Sequence, residues 1–221
     1  MSDDIRIRRL AAGDWDDVVA LEERAYAASG LSEGRAALES RGRASPGSCF
    51  ALEYRGRFGG YLLALPYPLF RCPDLSLAEA SDGLESSGDL AEASGGLPGR
   101  PTGRPTNMHA HDLVISEELR GRGLAPLMLG RLAETARARG YATISLVAVR
   151  GSEVLWAPLG YRPDPEVALP ESYGDRALYM SMALSPLKPV PTTTVAASAG
   201  AGAIAHTNDP LAGSPPRVEV G

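Results

Sequence analysis

The stretch "MHAHDLVISEELRGRGLAPLML", residues 108–129, decides the fold. It begins as a strand-like run carrying two histidines two residues apart. A glycine-rich turn then leads into an apolar periodic segment. Residues i and i+2 of a strand share a face, so His109 and His111 are expected to be neighbours about 7 Å apart. The turn Arg120, Gly121, Arg122, Gly123, Leu124 and Ala125 falls where a buried strand hands over to a helix. Small residues there let backbone N–H groups approach a ligand closely, and a helix N-terminus favours negative charge. Pro126 in the first helical turn gives up only an amide that would have no partner inside the helix. Such a turn suits a pyrophosphate, although turns of this kind also occur as plain structure and RG dipeptides also mark basic arms.

Downstream, Leu124, Leu127, Met128, Leu132 and Ala136 recur at helical spacing, Arg131, Glu134, Arg137 and Arg139 can face water, and Gly140 ends the helix. The strand "ATISLVAV" at 142–149 completes a strand-helix-strand unit. Upstream, "IRIRRL" at 5–10 alternates like a half-buried strand. Asp14 can cap a helix in which Trp15, Val18, Val19, Ala25 and Tyr26 lie near one face. A weaker helical signal spans Glu33 to Arg41. "CFALEYRGRFGGYLLAL" at 49–65 reads as a hairpin turning at Gly56, and "RALYMSMAL" at 176–184 as a last strand.

Between Pro66 and Asn107 the chain turns to Pro, Gly and Ser, as in "ASGGLPGRPTGRPTN" at 93–107, and reads as a partly disordered insertion. Residues 186–221 read as a disordered tail. One domain over 1–185 is expected, since 221 residues barely suffice for two. The net charge of −5 speaks against a nucleic-acid partner. Two cysteines, Cys49 and Cys72, support neither a disulfide framework nor a zinc site, so no metal is expected. The acidic start "MSDDIRIRRL" and the lack of a long apolar run predict a soluble cytoplasmic protein without membrane contact, either monomeric or homodimeric.

The turn is neither a Walker A loop, for no Gly-Lys-Ser/Thr follows, nor a dinucleotide fingerprint. It resembles the coenzyme A loop, Q/R-x-x-G-x-G/A, of the GNAT superfamily of N-acetyltransferases. Arg120, Gly123 and Ala125 match it, Leu113 and Ile115 match the apolar residues of the preceding strand, and "LWAPLGYRP" at 155–163 resembles the family's aromatic-x-x-x-G-F/Y segment. The resemblance covers residues 5–184 apart from the insertion. It implies an α/β (α+β) fold: a mixed, twisted central sheet with helices on both faces, in which the parallel strands 108–115 and 142–149 splay to admit acetyl-CoA as cosubstrate. The loop amides from Gly121 to Ala125 would hold the pyrophosphate. Amides along Leu113, Val114 and Ile115 would serve the coenzyme, the one near Ile115 meeting the thioester carbonyl. Arg122 is then a solvated or phosphate-steering charge.

An amine acceptor arrives as ammonium and must lose a proton before its nitrogen attacks a thioester. Histidine can take or relay that proton at neutral pH. Two polar groups at a strand end, with no further role, are the alternative. "HAHDLVI" before the RGRG turn looks like the H-x-H-x-L-x-V strand of the serotonin (arylalkylamine) N-acetyltransferases, whose histidines are proposed to pass the substrate proton to water. His109 and His111 fall on those positions.

Two departures accompany the resemblance. Trp156 stands where the family has its general-acid tyrosine, and indole N–H is too weak an acid for that work. Tyr161 or Tyr173 serves instead, or the thiolate leaves without dedicated protonation, with Trp156 as a pocket wall. The subgroup's Cys-Pro-Leu substrate loop is missing from "ASGLSEGRA" at 28–36. The expected activity is acetyl transfer to the primary amine of a small molecule, whether arylalkylamine, polyamine or amino acid-like. The alternative is a catalytically silent acyl-CoA-binding module of the same fold.

Overall fold

The computed structural model describes residues 4–79 and 106–185. Its first strand, β1 (Ile5–Arg9), places Ile5 and Ile7 against the core and Arg6 in water, as period-two alternation dictates. Helix α1 (Trp15–Tyr26) follows; Val18 and Leu21 are its fully inward residues, together with an unexpected buried carboxylate, Glu22. Helix α2 runs over Arg35–Ala44 rather than 33–41. Gly34 sets the later start: its φ of 77° lies outside the helical region, and residues before it belong to the turn.

Strands β2 (Phe50–Tyr54) and β3 (Arg57–Pro66) form the expected hairpin. Arg55 and Gly56 take φ of 52° and 73°, the positive pair that a two-residue hairpin turn of matching twist requires. Strand β4 (Asn107–Ile115) is next, then helix α3 (Leu124–Ala138), strand β5 (Thr143–Val149), the single-turn helix α4 (Glu153–Trp156), a two-residue strand β6 (Arg162–Pro163) and strand β7 (Ala177–Ala183).

The seven strands make one sheet in the order β1-β2-β3-β4-β5-β7-β6. Every pairing is antiparallel except β4–β5. Helix α3 covers one face. It buries Leu124, Met128, Leu132 and Ala136 against Met108, Ala110, Ile144 and Leu146. Each such leucine contributes about 1.5–3 kcal/mol by leaving water. Leu127, expected in that stripe, stands half exposed, and Leu129 packs in its stead. On the other face α1 and α2 lay Val18, Leu21 and Leu38 over Tyr61, Leu63 and Val114. Beside them Tyr179 of β7 and Tyr173 pack with Cys72.

The expected insertion does not begin as loose chain. Residues 67–79 pack against the body of the fold, and Tyr173 donates its hydroxyl hydrogen to the carbonyl of Pro73 at 2.9 Å. The expectation of disorder over residues 80–105, and that of a disordered tail over 186–221, fall outside the described residues. Among the described residues no helix is long and apolar enough to cross a membrane, and no cluster of metal-ligating side chains occurs.

Candidate active site

Strands β4 and β5 are hydrogen-bonded only over Asn107–His109 and Thr143–Ser145. Beyond that point the β5-facing edge of β4, from Ala110 to Ile115, has no strand partner among the described residues. β5 keeps pairing with β7 through Val149. The pair therefore opens like a V. Unsatisfied backbone donors and acceptors are costly unless water or a ligand meets them, so this edge suits an extended molecule laid along it. Leu113, Val114 and Ile115 lie on this stretch.

At the mouth of the V, Gly121 and Gly123 adopt φ of 73° and 74°. Only glycine takes this left-handed conformation freely. A Cβ on either would meet nothing within 4 Å, so the space over the loop is open to an incoming group. The fifteen-residue α3 begins at Leu124, with Ala125 and Pro126 in its first turn, and its free N–H groups face outward there. Arg120 bends back, its Nε donating to the Ile115 carbonyl at 3.2 Å, which ties the turn to the end of β4. Arg122 lies over the Tyr54 ring at 5.5 Å and donates to the Tyr54 hydroxyl at 3.5 Å, on the exposed surface beside the loop.

The histidines lie at the apex. A register shift opposite Leu63 and Ala64 leaves His111 without a partner on β3, since Leu63 pairs with Asp112 and Ala64 with Ala110. Alternation puts His109 and His111 on one face, that of α1 and α2, and the bulge brings Asp112 onto it as well. The two imidazole centroids are 6.2 Å apart.

Their surroundings differ. His109 is fully buried between Tyr67 and a stacked Tyr179, 6.1 and 6.3 Å away. Its Nδ1 shares a 3.0 Å hydrogen bond with Ser145 Oγ, which also accepts from Asn107 Nδ2 at 2.8 Å. Burial above all, with the Arg41 charge nearby, holds His109 well below the ordinary histidine range, so it is neutral. His111 Nε2 lies 2.6 Å from Glu33 Oε1. Burial alone would raise the Glu33 carboxyl, but the hydrogen bond to His111 and the Arg41 charge outweigh it and keep Glu33 ionised. His109 Nε2 and His111 Nδ1 are buried without any hydrogen-bond partner, an arrangement that leaves two nitrogens for a substrate or water.

Glu33 is itself held from behind. Its N–H donates to Glu22 Oε1 at 2.7 Å and Ser32 Oγ donates to Glu22 Oε2 at 2.6 Å. Arg41, with no exposed surface, donates to Glu33, to Glu79 and to the carbonyls of Asp74 and Leu77. Nearby, Asp112 accepts the hydroxyl hydrogens of Tyr26 at 2.9 Å and of Tyr61. Burial pushes the Asp112 carboxyl up to about 6.

The remaining sequence candidates are distributed as follows. Tyr173 belongs to the histidine face, but its hydroxyl is committed to Pro73. Tyr161 lies in the apolar cluster on the α3 face, its hydroxyl buried without a partner and kept protonated by that burial. Trp156 meets Tyr161 edge-on at 6.4 Å and donates its indole N–H to Ser152 Oγ at 3.2 Å. A cleft of about 830 Å3 lies between Tyr67–Cys72 and Pro163–Pro170. Tyr67 and Phe70 on its wall touch His109 and Tyr179 respectively, so it opens beside the apex.

The acetyltransferase (GNAT) family model matches residues 15–161, two thirds of the chain. The chain belongs to the GNAT family. Three solved GNAT-like structures show how far the likeness reaches. N-acetylglutamate synthase from Neisseria gonorrhoeae, complexed with coenzyme A and N-acetyl-glutamate, is 18% identical; the match covers 84% of this chain and 36% of that one, with a TM-score of 0.56. The putative acetyltransferase yncA from Salmonella typhimurium, with acetyl-CoA, is 15% identical over 86% and 99%, TM-score 0.54. The GNAT-like decarboxylase GphF, in complex with isobutyryl-CoA, is 21% identical over 81% and 100%, TM-score 0.56. No curated protein matches the sequence. The matches establish the GNAT family and fold; they lend no support to the arylalkylamine subgroup.

Proposed function

We propose that this GNAT protein is an acetyl-CoA-dependent N-acetyltransferase acting on the primary amine of a small molecule. The observation that carries the reading is the meeting, on one splayed strand, of a coenzyme-shaped mouth and two buried imidazoles with free nitrogens. The residues fit the cosubstrate: open glycines and an α3 N-terminus for the pyrophosphate, and an unpaired β4 edge for the extended pantetheine. Bound there, acetyl-CoA supplies a thioester whose carbonyl carbon gains the amine nitrogen as its C–S bond breaks, yielding amide, free thiol and one proton overall.

The chain's own groups do the rest. The amine reaches the apex by the cleft beside Tyr67 and Phe70, and the histidine pair takes the ammonium proton. Backbone N–H groups near Ile115 polarise the thioester carbonyl. Tyr161 is the better proton donor of the two tyrosines, because the Tyr173 hydroxyl is engaged. Trp156 then serves as a wall, packed on Tyr161. The acceptor class stays as wide as arylalkylamine, polyamine or amino acid-like amines.

One observation favours a second reading, a catalytically silent acyl-CoA-binding module: Trp156 stands where the family's acid tyrosine is expected. Thiol release from acetyl-CoA over a broad amine panel separates the two. Amine-dependent release supports the enzyme; tight coenzyme binding without release across the panel supports the silent module.

A further inference from the structure

We propose that Glu33 is a positioning residue that makes His111, rather than His109, the proton acceptor, by fixing its Nδ1 as the bare nitrogen left to take the proton. The proposal rests on the histidine reading above and deepens it.

A neutral imidazole carries one N–H. An ionised carboxylate offers only lone pairs, so the 2.6 Å contact between Glu33 Oε1 and His111 Nε2 requires the hydrogen on Nε2. Nδ1 then bears the lone pair, and it is the nitrogen that the protein leaves without a partner. Proton uptake at Nδ1 produces an imidazolium whose opposite edge already faces a negative charge. His109 has no such support. Its Nδ1 faces a serine hydroxyl, and among the described residues no carboxylate is hydrogen-bonded to its ring. Their partners thus give two histidines on one face unequal tasks: His111 receives charge, and His109, packed between Tyr67 and Tyr179, shapes the apex.

Glu33 cannot drift from this contact. Arg41 Nε donates to its other oxygen at 2.8 Å, and Glu22 accepts its backbone N–H. Arg41 is in turn satisfied by Glu79 and by two carbonyls of the 74–77 segment. The charged groups facing His111 are therefore Glu33 directly, Asp112 from the adjacent strand position, and Arg41 behind Glu33, with His109 as the other titratable ring. A purely structural pin would need the same contacts, so the decisive readouts are electronic and kinetic.

Imidazole nitrogen spectra of the unaltered protein, labelled with 15N, read the tautomer directly. Three histidines occur in the chain, and spectra of His109→Gln and His111→Gln assign the two in β4. The expected result is a protonated Nε2 and a bare Nδ1 at His111; a protonated Nδ1 overturns the proposal. In amine-acetylation assays, Glu33→Gln is expected to lower kcat about tenfold or more while KM for acetyl-CoA stays within about twofold. Glu33→Asp, which keeps the charge at a longer reach, is expected to recover part of the rate.

An inactive His111→Ala beside an unaffected Glu33→Gln removes the proposal alone. Undiminished turnover in His111→Ala removes the catalytic part of the proposal; the histidine reading falls only if the His109→Ala, His111→Ala double variant is also undiminished. If Glu33→Gln fails to fold, the tautomer measured in the unaltered protein still decides.

Discussion

His111 and Glu33, 78 residues apart in sequence, meet through Nε2 and Oε1 at 2.6 Å with neither side chain exposed to solvent beyond a few per cent. The contact joins the splayed strand β4 to the turn before α2. It also depends on Arg41, because a lone buried carboxylate would be expensive.

Removing Arg41 exposes that cost. Arg41→Ala leaves Glu33 and Glu79 without their buried cation and strips two carbonyls of donors. Breaking a buried pair in this way costs about 3–5 kcal/mol. Denaturant unfolding is expected to show a loss of that order; a loss below about 0.5 kcal/mol, typical of a surface substitution, contradicts the buried network.

The coenzyme loop makes a separate prediction. Valine at Gly123 must take φ near 74°, where a β-branched residue is strained by about 1–2 kcal/mol. The loop will re-fold its backbone to escape, moving the amides proposed to hold the pyrophosphate. Calorimetric titration should show coenzyme A affinity reduced about tenfold or more, with the melting temperature little changed. Unaltered affinity means the loop does not bind the coenzyme.

Much of this architecture was legible in the chain. The alternation of "IRIRR", the hairpin turn at Gly56, and the Leu124, Met128, Leu132 and Ala136 stripe are local patterns, and each element formed where local physics placed it. The shared face of His109 and His111 was legible for the same reason. What escaped was the long-range part. Glu33 sits in a turn and Arg41 on a polar-looking helix face, and nothing nearby marks them as buried. Their burial follows from partners in β4 and in residues 74–79. The bulge at His111 is set by the register of Leu63 and Ala64, which the sequence does not display. Tyr179, Ser145 and Asn107 likewise enter the site only through strand pairing, although a serine within an apolar strand was an available hint.

Asp112 gives a pH prediction whose sign is opposite to that of a salt-bridged carboxylate. Burial raises it from 3.8 to about 6 in the folded state, so the folded protein binds the proton more tightly than the unfolded chain. Stability from this group is present below about pH 4 and is lost as pH rises to about 6. Two pH units correspond to about 3 kcal/mol. Asp112→Asn is expected to gain stability relative to the unaltered protein between those values, read from paired unfolding curves at pH 4 and pH 7. An equal difference at both pH values contradicts a raised carboxyl.

The assignment of the proton donor is tested by two hydroxyl deletions. Tyr161→Phe removes a group with no hydrogen-bond partner and should lower kcat with little change in melting temperature. Tyr173→Phe removes a donor to Pro73 and should cost about 1 kcal/mol of stability while sparing kcat. The reverse pattern would exchange their roles.

The central claim is that the apex histidines serve acetyl transfer from coenzyme A to an amine, and thiol release with acetyl-CoA over an amine panel tests it most directly. The unaltered protein is expected to release thiol in the presence of at least one primary amine, and the His109→Ala, His111→Ala double variant to lose about a hundredfold or more of that rate while still binding coenzyme A. Undiminished turnover in the double variant contradicts the account.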